Sequence, residues 1–364
     1  MQLYKHDEKP QSVHQLQGDL HLALNHTPNY FIYTGIILDY NKKWKRLDMK
    51  KILLGNTKLE ITPIGMGVLP IGPNQRSLPV EDGARIIRYA LERGINFIDT
   101  AQYYQTSPYI KEALKGTNFE PIISSKCLGD DYKTMEMAIE EARRDMDRDV
   151  IDIFLLHEVR PGRFAEKQGA WECLHDAKAK GLVKSIGIST HHVDVCKEMA
   201  SVPDCEVVFP LINYAGLGIR KGSSTGTAEE MLESIKACYD AGKGIYAMKA
   251  FGGGVLTGNY QKALKFILEK PEIQSLMIGF GSIQDVDDLF DYVEGKMPTN
   301  YNPDISMKRM IVEQSDCEGC GSCKRICPAE AIFYNENGLA EIDQTKCLTC
   351  GYCAPACPTR ALVM

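Results

Sequence analysis

The sequence predicts an α/β protein in two parts, a closed (β/α)8 barrel followed by a small cysteine-rich domain. Three observations support this prediction. Short apolar runs alternate with amphipathic helical patterns from about residue 53 to residue 294. The runs number eight, as a closed barrel with helices outside requires. Eight of the thirteen cysteines then lie beyond residue 316.

The predicted strands are apolar runs of four to six residues, which is typical of parallel strands buried on both faces. They cover residues 61–66, 95–98, 121–125, 151–156, 185–189, 207–212, 244–248 and 275–278. Helical patterns lie between them, at 81–93, 134–147 and 227–240, and the last begins with Thr227 and Glu230 at the spacing of a capping box. A doubly wound sheet is the alternative, and it is disfavoured because no Gly-x-Gly-x-x-Gly follows the first strand.

The C-terminal cysteines form two copies of the pattern Cys-x-x-Cys-x-x-Cys-x-x-x-Cys-Pro. This spacing is typical of bacterial ferredoxins that carry two four-iron four-sulfur clusters, in which the fourth cysteine of each run binds the other cluster. We therefore expect two crossed ligand sets. The first set is Cys317, Cys320, Cys323 and Cys357, and the second is Cys347, Cys350, Cys353 and Cys327.

Two other uses of these cysteines are disfavoured. Zinc is usually held by paired Cys-x-x-Cys motifs rather than by two complete runs with trailing prolines. A disulfide knot suits a secreted chain, and this sequence begins with no charged leader before its longest N-terminal apolar stretch, residues 30–38. That stretch is also shorter than the ~20 residues needed to cross a membrane. We expect a cytoplasmic protein without a membrane partner.

The chain divides into four predicted segments. Residues 1–48 show no sustained helix or strand period, and Met49 opens a conventional start, so we expect this extension to be non-native or disordered. The barrel is predicted at 49–294, a polar linker at 295–310 and the ferredoxin-like domain at 311–364. Two short strands are expected to flank the turn at 335–338. The formal net charge of -6 argues against nucleic acid as a partner.

Polar side chains close three successive predicted strands. Asp99, Tyr103 and Tyr104 follow the second strand, Lys126 the third and His157 the fourth. The C-terminal ends of barrel strands meet at one face, so these groups are expected to lie together. A buried ammonium lowers the pKa of a neighbouring phenol, and a histidine can orient a carbonyl oxygen. The set predicts a proton donor for carbonyl reduction, although each residue alone has a structural explanation, as a cap, a solvated strand end, a rim histidine or packing.

At these positions the chain resembles the aldo-keto reductases. Residues 94–101, Gly-Ile-Asn-Phe-Ile-Asp-Thr-Ala, are similar to the family signature, and the phenol five residues after Asp99 is Tyr104. Lys126 and His157 match the rest of the family's tetrad. The resemblance covers about residues 50–294 and implies that Tyr104 is the proton donor. Together with the cysteine runs, it resembles an iron-sulfur branch of that family.

The resemblance implies a nicotinamide cofactor, NAD or NADP, across the barrel mouth. The candidate contacts are Ser189, Asn213, Lys249, Gly252, Gly253, Gly281, Ser282 and Asp285. Several family features are replaced: Met248 stands where a tyrosine usually stacks on nicotinamide, and Thr190 and Phe209 replace amide side chains. Asp285 would repel a 2′-phosphate, which disfavours NADPH.

The nucleotide contacts have alternatives. The glycines serve tight turns equally well. Lys249 could bind an anionic substrate or a cofactor phosphate, or pair with a carboxylate.

Two functions follow from the sequence. The first is an oxidoreductase that acts on a small-molecule carbonyl or alcohol, with reducing equivalents exchanged through the two clusters. Clusters move single electrons whereas nicotinamides move hydrides, so a flavin or a redox partner protein is a candidate converter. The second is an electron-transfer or redox-regulatory protein whose barrel no longer carries out hydride chemistry.

Overall fold

A computed structural model describes residues 49–222, 224–298, 300–301, 303, 309–359 and 361–363. The predicted extension at 1–48, with its apolar stretch, lies outside the described residues, as does part of the predicted linker. The described part confirms the predicted fold class, because eight parallel strands form a closed barrel and a small cysteine-rich domain follows. No helix in the described ranges is long and apolar enough to span a membrane.

The barrel strands agree closely with the apolar runs. They are β3 (Ile64–Gly67), β4 (Phe97–Asp99), β5 (Ile122–Cys127), β6 (Ile151–Leu156), β7 (Val183–Thr190), β8 (Val207–Pro210), β11 (Gly244–Ala247) and β12 (Ser275–Gly279). Neighbours in this order are hydrogen-bonded in parallel, and β12 pairs with β3 to close the barrel.

The first predicted strand, residues 61–66, is divided in two. Its start belongs to β2 (Glu60–Ile61), which pairs antiparallel with β1 (Ile52–Leu53), and β3 begins only at Ile64. Pro63 lies at the break and cannot donate a ladder hydrogen bond, which explains the division. A second small hairpin pairs β9 (Arg220–Lys221) with β10 (Ser224–Thr225).

Helices surround the barrel, and all except the short α4 bury one face. They are α1 (Val80–Glu92), α2 (Ser107–Leu114), α3 (Tyr132–Met146), α4 (Arg163–Glu166), α5 (Gln168–Ala179), α6 (Val193–Met199), α7 (Ala228–Asp240), α8 (Tyr260–Leu268) and α9 (Ile283–Val293). The predicted capping box is confirmed, since the side chains of Thr227 and Glu230 each accept from the other's backbone N–H at the start of α7.

The barrel interior is filled by side chains from alternate strand positions. Phe97, Phe209 and Tyr246 are the aromatic members, and each is buried. Leu54 and Ile61 from the β1–β2 hairpin belong to the same cluster. The barrel is therefore a packed core, and polar chemistry is confined to the C-terminal ends of the strands.

In its described residues, the ferredoxin-like domain has two small sheets and two short helices. Strand β13 (Ile311–Val312) pairs with β16 (Leu362–Val363), and β14 (Ile332–Tyr334) pairs with β15 (Ala340–Ile342) around the predicted turn. Helices α10 (Ser322–Ile326) and α11 (Cys353–Ala356) begin within the two cysteine runs.

Candidate active site

A buried ion pair lies at the C-terminal ends of two adjacent strands. Lys126 Nζ in β5 lies 2.7 Å from Asp99 Oδ2 at the end of β4, and it also donates to the carbonyl oxygen of Thr100 at 2.5 Å. Only 1% of the lysine side chain and 6% of the aspartate side chain are exposed, so Lys126 is not a solvated strand end. Burial raises the pKa of Asp99 and lowers the pKa of Lys126, and the attraction between the two opposes both shifts.

Three further side chains surround this pair and were not singled out as partners by sequence reasoning. Tyr246 Oη lies 2.7 Å from Ser124 Oγ and donates to Asp99 Oδ1 at 3.3 Å. The ring of Phe209 stacks on Tyr246 with 4.0 Å between centroids. Ser124, Phe209 and Tyr246 all lie on predicted strands, so the sequence placed them in the barrel. Strand periodicity alone does not show which strand positions face Asp99.

Tyr104 and His157 complete the predicted tetrad. Tyr104 lies on the 3-10 turn Gln102–Tyr104 after β4, and His157 directly follows β6. Their rings meet edge to face with 5.6 Å between centroids, and Lys126 Nζ lies 4.8 Å from the centroid of the Tyr104 ring. The structure therefore brings all four predicted residues together, and Tyr104, not Tyr103, faces His157.

The expected direction of the Tyr104 pKa is wrong. Burial and the nearby Asp99 carboxylate raise the pKa of Tyr104, and a hydrogen bond with Tyr352 only partly offsets this. Asp99 offsets the charge of Lys126, so the phenol gains little from the ammonium. Burial also holds the pKa of His157 well below 6.5, with the charge of Lys126 adding to the effect. At neutral pH Tyr104 is protonated and His157 is uncharged.

The site contains a residue from the other domain that sequence reasoning missed. Tyr352, in the second cysteine run, places its hydroxyl 2.9 Å from Tyr104 Oη and 2.9 Å from His157 Nε2. The side chain is buried, and its ring lies 6.0 Å from the Tyr104 ring and 5.8 Å from the His157 ring between centroids. One oxygen atom of the ferredoxin-like domain thus lies within hydrogen-bond distance of both groups.

We call residues 347–352 the docking segment, because they lie across the barrel mouth. Tyr103 Oη donates to the backbone oxygen of Tyr352 at 2.7 Å, and Gln75 Nε2 donates to that of Thr349 at 3.1 Å. Gly253 adopts φ +79°, and a Cβ on it would lie 1.5 Å from the carbonyl oxygen of Leu348. The fit between barrel and docking segment therefore depends on a glycine backbone at 253.

The two predicted ligand sets each line one cavity. Cysteines 327, 347, 350 and 353 line one cavity, together with Tyr352. Cysteines 317, 320, 323 and 357 line a second cavity. This is the crossed arrangement that the spacing predicts, with the fourth cysteine of each run on the opposite set.

The cysteine sets fit four-iron clusters in their chemistry. All thirteen cysteines are free of disulfides. Backbone N–H groups of Ala340 and Thr349 donate to the sulfurs of Cys317 and Cys347 at 3.4 Å, as amides do to thiolates that bind clusters. Within the described ranges, no three His, Cys, Asp or Glu side chains are arranged to hold a single metal ion.

Comparison with known proteins agrees with this geometry. The model of the aldo/keto reductase family matches residues 63–269, more than half of the chain. The chain belongs to the aldo/keto reductase family. A 4Fe-4S dicluster domain model matches residues 306–361.

Individual relatives match the barrel part of the chain. L-galactose dehydrogenase of Arabidopsis thaliana is 22% identical over 65% of this chain and 85% of its own length. Methylglyoxal reductase DkgA of Escherichia coli is 27% identical over 46% of this chain and 63% of its own length. A solved aldo-keto reductase from Bacillus halodurans in its holo form has the same fold, with a TM-score of 0.55 at 20% identity over 69% of this chain and 93% of that one.

The nucleotide contacts inferred from this family have other partners in the structure. Ser189 Oγ accepts from the N–H of Glu158, and the Asn213 side chain bonds with the backbone of Leu217. Ser282 caps α9, and Asp285 accepts from the N–H of Gly281. The roles of these residues toward a nucleotide remain predictions.

Two further candidates, Lys249 and Gly253, lie against the docking segment. Burial lowers the pKa of Lys249, and Cys350 and Cys347 oppose the shift in their thiolate form. Gly252 begins the 3-10 turn Gly252–Gly254, and the carbonyl oxygen of Gly253 accepts from Thr349 Oγ1. In this arrangement a nicotinamide nucleotide does not fit over the turn, because Leu348 and Thr349 already cover it.

Proposed function

We propose that the chain is an oxidoreductase that interconverts a small carbonyl compound and its alcohol, with Tyr104 as the proton donor and electrons supplied through two four-iron clusters. One observation carries this proposal: Tyr104 Oη and His157 Nε2 converge at 2.9 Å on a single oxygen position. A carbonyl oxygen at that position would meet a protonated phenol and an uncharged imidazole, which are the groups that proton transfer to it requires.

The chain's own residues supply the proton and the orientation. The raised pKa of Tyr104 keeps its proton in place until a developing alkoxide takes it. His157 orients the oxygen, and its lowered pKa keeps it from competing as a cation. Lys126 Nζ, held by Asp99, lies 4.8 Å from the centroid of the Tyr104 ring and packs against it, which positions the phenol.

The electron source is proposed from the cysteine sets. Cysteines 317, 320, 323 and 357 would hold one cluster and cysteines 327, 347, 350 and 353 the other. A four-iron cluster supplies single electrons when bound, and reduction of one carbonyl to an alcohol takes two electrons and two protons. The two clusters would together supply both electrons, Tyr104 the proton to oxygen, and solvent the proton to carbon. The covered turn at Gly252–Gly254 favours this source over a nicotinamide.

The test is carbonyl reduction by the full chain, reconstituted anaerobically and supplied with reduced methyl viologen. Methylglyoxal and propanal are suitable first substrates, since relatives include methylglyoxal reductases. We expect Tyr104→Phe to lower kcat at least about 100-fold, because a positioned general acid contributes about that factor. Tyr109→Phe is the matched control: Tyr109 is equally buried, but its hydroxyl donates to Leu78 outside the site. Unchanged turnover in Tyr104→Phe would remove the proton-donor role.

The second candidate is an electron-transfer or redox-regulatory protein, and the docking segment across the barrel mouth favours it. In that case the viologen-reduced chain passes electrons to a partner protein and reduces no carbonyl compound. Oxidation of the reduced chain by a bacterial ferredoxin, with no alcohol formed from any aldehyde, would support this function over the first.

A further inference from the structure

The hydroxyl of Tyr352 lies where the proposed function requires the substrate oxygen. Its distances to Tyr104 Oη and His157 Nε2 are both 2.9 Å, and the side chain is buried. A substrate oxygen cannot take the same two hydrogen bonds while this hydroxyl holds them. Substrate can therefore take this position in the barrel only if the Tyr352 hydroxyl leaves it.

The backbone around Tyr352 is held independently of its hydroxyl. Its carbonyl oxygen accepts from Tyr103, Thr349 bonds with Gln75 and Gly253, and Leu348 is buried against the barrel. None of these contacts uses the Tyr352 ring. Moving the ring out of the site therefore requires rotation of the side chain and loss of its ring contacts with Tyr103, Tyr104 and His157, but no movement of the docking segment.

We propose that Tyr352 is a substrate-mimicking residue of the barrel site: its hydroxyl occupies the substrate-oxygen position, and a small carbonyl compound binds only by displacing it. This inference rests on the proposed function and adds a specificity-determining residue from the ferredoxin-like domain. Because Tyr352 also lines the cavity of the second cysteine set, the displaced position lies beside that set.

If the Tyr352 hydroxyl mimics the substrate oxygen, removing it should strengthen substrate binding without changing the turnover rate. Tyr352→Phe removes the two hydrogen bonds that hold the ring in the site but leaves Tyr104, His157 and Lys126 unchanged. Two hydrogen bonds of ordinary strength correspond to about a tenfold change in the equilibrium that substrate must overcome. We expect the KM for propanal to fall about tenfold and kcat to change less than about twofold.

The experiment uses the full chain with both clusters reconstituted and reduced methyl viologen as electron donor. Wild type, Tyr352→Phe and Tyr352→Ala are compared, with Tyr334→Phe as the control, since Tyr334 is an exposed tyrosine of the same domain. Iron content is measured for each variant to show that the clusters are loaded. A tenfold loss of kcat at unchanged KM would instead make Tyr352 a proton carrier, and no change in either constant would also overturn the proposal.

Binding without turnover separates this inference from the proposed function. Ligand-observed NMR with 1-propanol as the probe measures occupation of the oxygen position whether or not any carbonyl is reduced. We expect 1-propanol to bind Tyr352→Phe and Tyr352→Ala at least about tenfold more tightly than wild type and Tyr334→Phe. If all four bind alike, Tyr352 does not compete for the site. If binding differs but no variant reduces propanal, the proposed function fails and the mimicry stands.

Discussion

The two cysteine runs have identical spacing and opposite surroundings. Glu318 and Cys320 of the first run are exposed, whereas Leu348 and Cys350 at the same places in the second run are buried. The second run also has Tyr352 where the first has Ser322. Cluster binding fixes the cysteines alone, so the residues between them are free to form a surface, and in the second run they form the one that covers the barrel mouth.

The cysteine thiols of the two runs also differ in pKa. Hydrogen bonds from Ser322 lower the pKa of the Cys320 thiol. Burial raises the pKa of the Cys350 thiol, and the charge of Lys249 partly opposes that shift. The first run is thus the more exposed of the two, and the second lies between its domain and the barrel.

The largest expected difference is in the stability of the barrel mouth when one ligand of either run is removed. Cys350→Ser removes a predicted cluster ligand from the docking segment, and Cys320→Ser removes its predicted counterpart from the exposed run. We expect amide exchange at residues 250–256 to accelerate about 100-fold in Cys350→Ser, because local opening there no longer has to disrupt a ligated segment. Hydrogen-deuterium exchange of the anaerobic full chain measures this.

Cys320→Ser serves as the matched control, with iron content confirming that each variant keeps the other cluster. Exchange at 250–256 is expected to change less than about twofold in this control. Equal acceleration in both variants would mean that the ferredoxin-like domain protects the mouth as a whole, and that the docking segment has no separate part in it.

A comparable effect is expected from adding one methyl group on the barrel side of this contact. Gly253→Ala places a Cβ 1.5 Å from the Leu348 carbonyl oxygen, in a left-handed backbone conformation. Gly338→Ala is the control, because Gly338 has φ +73° and nothing within 4 Å of the same Cβ position. We expect a loss of about 1 kcal/mol for the control and about 2–4 kcal/mol for Gly253→Ala, from strain plus overpacking.

Urea unfolding followed by circular dichroism measures both substitutions in the cluster-loaded chain. Equal destabilisation of the two variants would show that the close approach at Gly253 is not needed for stability. A second comparison locates the clash. If Gly253→Ala destabilises the wild-type chain more than Gly338→Ala does, but does not further destabilise a chain that carries Cys350→Ser, the clash lies in the docking segment itself.

Much of the site could be predicted from sequence because its parts are local. Strand ends place Asp99, Lys126 and His157 at one face of any closed barrel, and cysteine spacing fixes the crossed sets. Tyr352 could not be predicted, because its position depends on how one domain docks on another. A usable signal was the exchange of Glu318, Gly319 and Ser322 in the first run for Leu348, Thr349 and Tyr352 in the second.

Two errors have a common physical origin. The first strand divides at Pro63 because a missing N–H outweighs the apolar pattern around it. The pKa of Tyr104 is raised by burial and by the Asp99 carboxylate. In both cases an opposing effect outweighs the favourable one. Pro63 is visible in the sequence itself, whereas the burial of Tyr104 appears only in the assembled structure.

The smallest expected difference between the runs is in the rate at which they lose iron. Bipyridyl added to the dithionite-reduced chain should remove iron in two phases, the first about tenfold faster, because Cys320 is exposed whereas Cys347, Cys350 and Cys353 are buried. Absorbance of the ferrous complex measures both phases.

Cys320→Ser should lack the fast phase and Cys350→Ser the slow one. Tyr352→Ala should accelerate the slow phase alone, since it opens the buried cavity without removing a ligand. A single phase in wild type would mean that solvent reaches both sets equally, and the contrast between the two runs would then not extend to their chemistry.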